Sequence, residues 1–237
     1  MTTLAVRDLD VFIQASHILR NVTLEVGPEE VVCLVGRNGA GKSTLLRTVM
    51  GYLRPRAGTI AFKGEPIHGR PTHEIARGGI GFAPEDGGIF ADLTVAENIE
   101  IATWTRAGIR TARERIDAAY GVFPVLRTYA ARKGPAMSGG ERKMLSIARA
   151  LALDPELLLL DEPFEGLSPA IIPAVAEGIG SITRRGHAIL LAESNIHHVP
   201  DFAARLYVIE RGEIIFAGRP DEVRRDAAVL RVIGGAA

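Results

Sequence analysis

The sequence predicts an α/β fold built on a largely parallel sheet. Three observations carry this. Val31–Val35, Leu157–Leu160 and Ala188–Ala192 are short, uninterrupted apolar runs, the pattern of strands buried on both faces. Helical sequence lies between the later runs, and strands alternating with helices imply parallel pairing. A glycine-rich stretch follows the first run directly and leads into a helical pattern from Ser43 to about Met50.

The other elements follow in chain order. Val22–Val26 alternates like a half-buried strand. Gly51 and Pro55 end the first helix, and Thr59–Phe62 reads as a short strand. From Leu93 to about Leu153 the texture becomes helical, rich in Ala, Arg and Glu, as in a helical insertion. A hairpin closes the region, with Leu206–Glu210, a turn at Arg211-Gly212, and Glu213–Ala217.

Bulk composition narrows the function classes. With 237 residues, 47% of them apolar, the chain can bury a sizeable core in one large domain. Lys+Arg and Asp+Glu both number 28, so the formal net charge is zero, against a general nucleic-acid binder. The basic pairs Arg184-Arg185 and Arg224-Arg225 read as solvated faces. The single cysteine, Cys33, sits in the apolar run VVCLVG. It permits no internal disulfide and reads as core. MTTLAVRDLD lacks a basic segment followed by an apolar one, so no signal peptide is expected. No apolar stretch reaches about 18 residues, so no membrane span is expected either.

The glycine-rich stretch is GRNGAGKST, comprising Gly36, Arg37, Asn38, Gly39, Ala40, Gly41, Lys42, Ser43 and Thr44. It fits G-x-x-x-x-G-K-[ST] and lies between a buried strand and a helix start, the context this phosphate-binding loop requires. Glycines let the backbone wrap a phosphate, with the loop amides and the helix N-terminus directed at the anion. Lys42 would reach the β- and γ-phosphates and Ser43 would ligate Mg²⁺. LLLLDEP supplies the second half of such a site, an acid at the end of an apolar strand. Asp161 would hold Mg²⁺, and Glu162 would polarise the attacking water as general base.

MSGGE, Met137 to Glu141, is a helix start: Ser138 as N-cap, with Glu141 closing a capping box around Gly139 and Gly140. Met144, Leu145, Ala148 and Leu151 form the apolar face behind it. With these three motifs the chain resembles the ATP-binding cassette (ABC) family, whose LSGGQ signature lies shortly before the acidic strand, as MSGGE does here. The resemblance spans nearly the whole chain. It implies a P-loop NTPase (RecA-like) core over about 1–90 and 154–237. An N-terminal antiparallel β subdomain and an inserted α-helical subdomain, about 91–153, complete a single nucleotide-binding domain. It also implies a dimer in which Ser138, Gly139, Gly140 and Glu141 of one cassette cap the ATP held by the other. A helix N-terminus with a hydroxyl and free glycine amides is a good anion clamp.

Finer resemblance points to the LivF-type cassettes of branched-chain amino-acid uptake. GFAPEDGGIFADLTVAENI, MSGGERKMLSIARAL, LLLLDEPFEGLSP and the tail ending VIGG carry it. Most cassettes place glutamine where this chain has Glu85, at a position that contacts Mg²⁺ and the attacking water. A carboxylate can ligate Mg²⁺ as well, but adds negative charge beside the γ-phosphate and should slow or retune hydrolysis.

Two further departures concern LLAESNIHH and Phe12. The family histidine that contacts the γ-phosphate aligns with Ser194, which is shorter and carries no charge. His197 and His198 follow at the wrong spacing to replace it, and are expected to be ordinary polar residues of the next helix. The family's adenine-stacking aromatic falls near residue 13, and Phe12 is the nearby candidate. The resemblance thus implies the ATP-binding and ATP-hydrolysing subunit of an importer, with ATP and Mg²⁺ as cofactors. It would carry branched-chain amino acids or a related small polar solute. Implied partners are a second cassette, more often a different one, transmembrane permease subunits at the cytoplasmic face of the membrane, and indirectly an external solute-binding protein. Nucleic acid is not an expected partner. The alternatives are a regulatory or degenerate cassette that binds ATP with little hydrolysis, or a non-transport ABC ATPase.

Overall fold

The fold is taken from a computed structural model describing residues 2–106, 110–223 and 225–234. Arg224 of the second basic pair and Gly235 of the VIGG tail lie outside these. The N-terminal half runs β1 (Leu4–Ile13), β2 (Ser16–Val26), β3 (Val31–Val35), α1 (Lys42–Val49), β4 (Ala57–Phe62), β5 (Glu65–Pro66), α2 (Thr72–Gly78) and β6 (Ile80–Ala83). Four helices follow, α3 (Val95–Ala102), α4 (Ala112–Val122), α5 (Val125–Thr128) and α6 (Gly139–Ala152). The remainder is β7 (Leu157–Asp161), α7 (Ile172–Thr183), β8 (Ala188–Glu193), β9 (Arg205–Glu210), β10 (Glu213–Gly218), α8 (Pro220–Val223) and α9 (Ala227–Gly234).

Two sheets organise the chain. One is antiparallel, in the order β2-β1-β4-β5. The other has the order β10-β9-β3-β8-β7-β6. Its pairs from β9 to β6 are all parallel, with β10 antiparallel at the edge. The predicted α/β class with a parallel sheet is therefore the observed one. The three apolar runs are its central strands, and they are buried on both faces as their composition requires. In β3, Val31, Cys33 and Val35 face one apolar core while Val32 and Leu34 face another. In β7, Leu158 and Leu160 join the first core, and Leu157 and Leu159 the second. Helices α3, α4 and α6 cover the first core; the antiparallel sheet and α1 cover the second.

Elements β1, β5, α2, β6, α8 and α9 lie outside the sequence expectation. Strand β1 escapes because its alternation is broken. Leu4 and Val6 are buried, Asp8 adopts φ 47°, and the buried phase resumes at Leu9 and Val11. A bulge of this kind erases a period-two signal. Strand β6 is only IGFA, four residues, and owes its state to pairing with Leu157–Leu160. Helix α2 is one short element of seven residues. Conversely, the helix at MSGGE starts as expected. Ser138 accepts from the Glu141 amide at 3.3 Å and Glu141 accepts from the Ser138 amide at 2.7 Å. Met144, Leu145, Ala148 and Leu151 are all buried behind it. Thr94 with Glu97 and Thr111 with Glu114 cap α3 and α4 in the same way.

Candidate functional site

The loop between β3 and α1 is shaped by its glycines. A Cβ on Gly36 would stand 2.3 Å from the Ile209 carbonyl oxygen, so no larger residue fits beneath β9. Gly41 has φ 113°, left-handed backbone that side chains disfavour. Lys42 is buried and curls back, donating to the carbonyls of Gly36 at 2.7 Å and Arg37 at 3.3 Å. Asn38, Gly39, Gly41, Lys42, Ser43 and Thr44 line a cleft of about 440 Å³ together with Ile13, Ile18, Glu85, Glu162 and Glu165.

At the floor of this cleft the end of β7 meets α1. The Ser43 hydroxyl donates to Asp161 Oδ1 at 3.0 Å. Asp161 Oδ2 is buried without a hydrogen-bond partner. Burial, and then the negative charges of Glu85 and Glu162, push the Asp161 carboxyl up to about 6, with the Ser43 hydroxyl opposing. One orphaned carboxylate oxygen beside a hydroxyl, under net negative field, is the donor set of a hard divalent cation completed by phosphate and water. Among the described residues, no group of three or more His, Cys, Asp or Glu side chains is arranged to hold a metal on its own. His197 and His198 belong to no such group.

Glu162 is engaged through both carboxylate oxygens. Its Oε1 pairs with Lys42 Nζ at 3.0 Å, both side chains being 4% exposed. Its Oε2 accepts from the Ser194 amide at 2.9 Å and the Ser194 hydroxyl at 3.1 Å. Its backbone adopts φ 49°, held by a hydrogen bond that its N–H donates to the Ala192 carbonyl at 2.9 Å. Strained backbone of this sort costs on the order of 1–3 kcal/mol and concentrates at functional sites. Removing the hydroxyl in Ser194→Ala deletes one bond to a buried carboxylate. The expected result is a loss of about 1.5–3 kcal/mol, read as a lower urea midpoint, with nucleotide binding retained.

Several contacts here had no sequence signal. Lys143 of α6 donates to the Glu85 carbonyl and to the Glu162 carbonyl, each at 2.7 Å, tying the helix to both acidic loops. Burial draws its pKa down. Glu165, beside Glu85, is raised by burial and then by the charge of Glu162. The cluster around Glu193 is the largest omission: that side chain is wholly buried, although its sequence reads only as a strand end.

Other predicted positions fall elsewhere. Phe12 does not line the cleft. Its ring stacks on His17 at 4.1 Å, with Arg56 over it at 5.0 Å, and the next residue, Ile13, faces the cleft instead. Neighbouring residues on a strand point to opposite sides. Gly139 lines a separate hollow of about 310 Å³ with Glu85, Lys143 and Glu165, while Ser138, Gly140 and Glu141 line neither space. Residues Ile196–His198 form a single 3-10 turn rather than the start of a helix. His198 Nδ1 lies 3.1 Å from Glu193 Oε2.

Comparison with known proteins agrees with this geometry. Residues 19–165 match the ABC transporter family. The chain is 35% identical to the lipopolysaccharide export system ATP-binding protein LptB of Haemophilus influenzae, over 99% of this chain and 98% of that one. It is 40% identical to the high-affinity branched-chain amino acid transport ATP-binding protein BraG of Pseudomonas aeruginosa, over 86% and 85%. A solved structure of the ATP-binding subunit of an ABC transporter superposes with TM-score 0.82 at 28% identity, covering 96% and 94%. No helix among the described residues is long and apolar enough to cross a membrane. The chain belongs to the ATP-binding cassettes of ABC transporters and is their ATP-binding, ATP-hydrolysing subunit.

Proposed function

We propose that this cassette powers uptake of branched-chain amino acids or a related small polar solute. The observation that carries this reading is the 40% identity to BraG, higher than the 35% to LptB. The longer coverage of LptB, 99% of this chain against 86%, favours lipopolysaccharide export as the second reading. Either reading implies a cassette that works at the cytoplasmic face of the membrane through permease subunits. The test is MgATP hydrolysis in proteoliposomes containing this chain, its partner cassette and its permease chains. Uptake predicts stimulation by a leucine-loaded binding protein. Stimulation by lipopolysaccharide alone would transfer the function to export.

In the proposed site the loop amides and Lys42 would hold the β- and γ-phosphates, and Ser43 and Asp161 would hold Mg²⁺, which would supply charge neutralisation at the phosphates. Glu85 lies across the cleft as a further candidate ligand. A phosphate oxygen that draws Lys42 away from Glu162 leaves that carboxylate held by the Ser194 amide and hydroxyl. Glu162 then takes a proton from the attacking water. Ser194 thus bears on hydrolysis through Glu162. The signature residues Ser138–Glu141 line no part of this chain's own cleft, which supports their use by a second cassette. Ile13 and Ile18, rather than an aromatic, are the residues offered to the adenine base.

A further inference from the structure

We infer that Lys143 is a positioning residue for hydrolysis. Its ammonium pins the loops that carry Glu85 and Glu162 to the first turns of α6, so the two acids keep one spacing and move with that helix. The inference rests on the assignment of Glu162 as general base.

Sheet register creates the need for such a link. Ala83 and Leu160 are the last pair in the ladder between β6 and β7. Glu85 and Glu162 each lie two residues beyond that pair, where the ladder no longer sets their spacing. Lys143 bridges them, donating to the Glu85 carbonyl and to the Glu162 carbonyl, each at 2.7 Å. These are the lengths of charge-assisted hydrogen bonds. Arg149, on the same helix, donates to the Gly88 carbonyl at 2.5 Å, so α6 grips the Glu85 loop at a second point. Gly139 and Lys143 are four residues apart and share a helix face. Both line the hollow of about 310 Å³ that Glu85 and Glu165 also border. The glycine at the start of α6 is thus one turn from the ammonium that holds both acidic loops.

The side chains of the two acids do not hold this spacing themselves. Glu85 is exposed, and Glu162 pairs with Lys42, which the phosphates would draw away. The Lys143 bonds go to backbone carbonyls and leave both carboxylates free for Mg²⁺ and water. Packing alone would need only the carbon stem of the lysine; the ammonium is what reaches the two carbonyls.

The test is steady-state MgATP hydrolysis with equilibrium ATP binding by the purified full chain, comparing parent, Lys143→Met, Lys143→Arg and Glu162→Gln. Lys143→Met keeps the stem and removes the donors. It should lower kcat by roughly 10- to 100-fold, the scale of loss from a misplacement of about 1 Å, with KM and ATP affinity nearly unchanged. Lys143→Arg returns donors to the same carbonyls, with room in the adjoining hollow, and should restore most of kcat. A merely structural contact would lower the urea midpoint of Lys143→Met and leave kcat of the folded protein at the parent's value, which overturns the inference. A loss confined to ATP affinity, or a Lys143→Arg variant as slow as Lys143→Met, overturns it as well. If Lys143→Met does not fold, Lys143→Gln, one bond shorter and uncharged, takes its place in the same comparison. An active Glu162→Gln would instead remove the base assignment, whereas a silent Glu162→Gln beside a parent-like Lys143→Met removes only the positioning role.

Discussion

Glu162→Gln is expected to reduce MgATP hydrolysis by roughly 10²- to 10⁴-fold, the contribution of a positioned general base, while ATP still binds. The substitution conserves volume and removes the charge. It also disturbs a precise set of partners, because both carboxylate oxygens act as acceptors, Oε1 from Lys42 and Oε2 from two Ser194 donors. An amide offers one acceptor oxygen and turns an N–H toward a donor on the other side. Some loss of stability in the nucleotide-free protein is thus expected alongside the catalytic loss. Equilibrium ATP binding with single-turnover hydrolysis separates the two effects. Binding should survive because Lys42, released from its partner, remains available to phosphate. A variant that hydrolyses ATP at parental rates would show that another group takes the proton.

Lys42→Met is expected to abolish nucleotide binding at concentrations that saturate the parent. It removes the only side-chain cation among the described residues that line the cleft. The loss extends to the protein without nucleotide. Lys42 and Glu162 are both buried, at 3.0 Å, and removing one member of a buried pair costs about 3–5 kcal/mol. Lys42 also donates to the Gly36 and Arg37 carbonyls, so its loss leaves the loop backbone short of a donor. Urea unfolding of the nucleotide-free variant measures this, and the midpoint should fall well below the parent's. The double variant Lys42→Met with Glu162→Gln removes both charges and should recover part of the loss. An additive double variant would mean that the ion pair adds little to the fold.

The pH dependence of stability follows from the burial of Glu193. Its carboxyl is raised in the folded protein from 4.5 to about 9. The folded state therefore binds more protons than the unfolded one across that interval. The stabilising contribution is complete below the unfolded value and is lost as pH rises through about 9. Asp161, raised from 3.8 to about 6, adds the same sign over a lower and narrower window.

Much of the fold was legible because its signals are local. Buried parallel strands need continuous apolar runs, and β3, β7 and β8 supply them in five or six residues each. The phosphate loop needs its glycines and lysine in one unbroken segment. The cap of α6 is closed by residues three apart, Ser138 and Glu141. A chain contains all of these within a few positions, so no long-range information is required.

What depended on distant pairing was not legible. Strand β6 exists through its register with β7, and β1 hides its alternation behind a bulge at Asp8. Phe12 gave way to Ile13 at the cleft because a bulged strand sets which face a side chain takes. The acidic cluster is the clearest case. Leu160 pairs with Leu191 and Asp161 with Ala192, so β7 and β8 end side by side. That register brings Glu162 beside Glu193 and Ser194, which lie about thirty residues away along the chain. The sequence alone determined which strands carry the phosphate loop and the acids. Only the tertiary structure decided which of those acids are buried side by side, because burial and strand register, rather than residue type, set their surroundings.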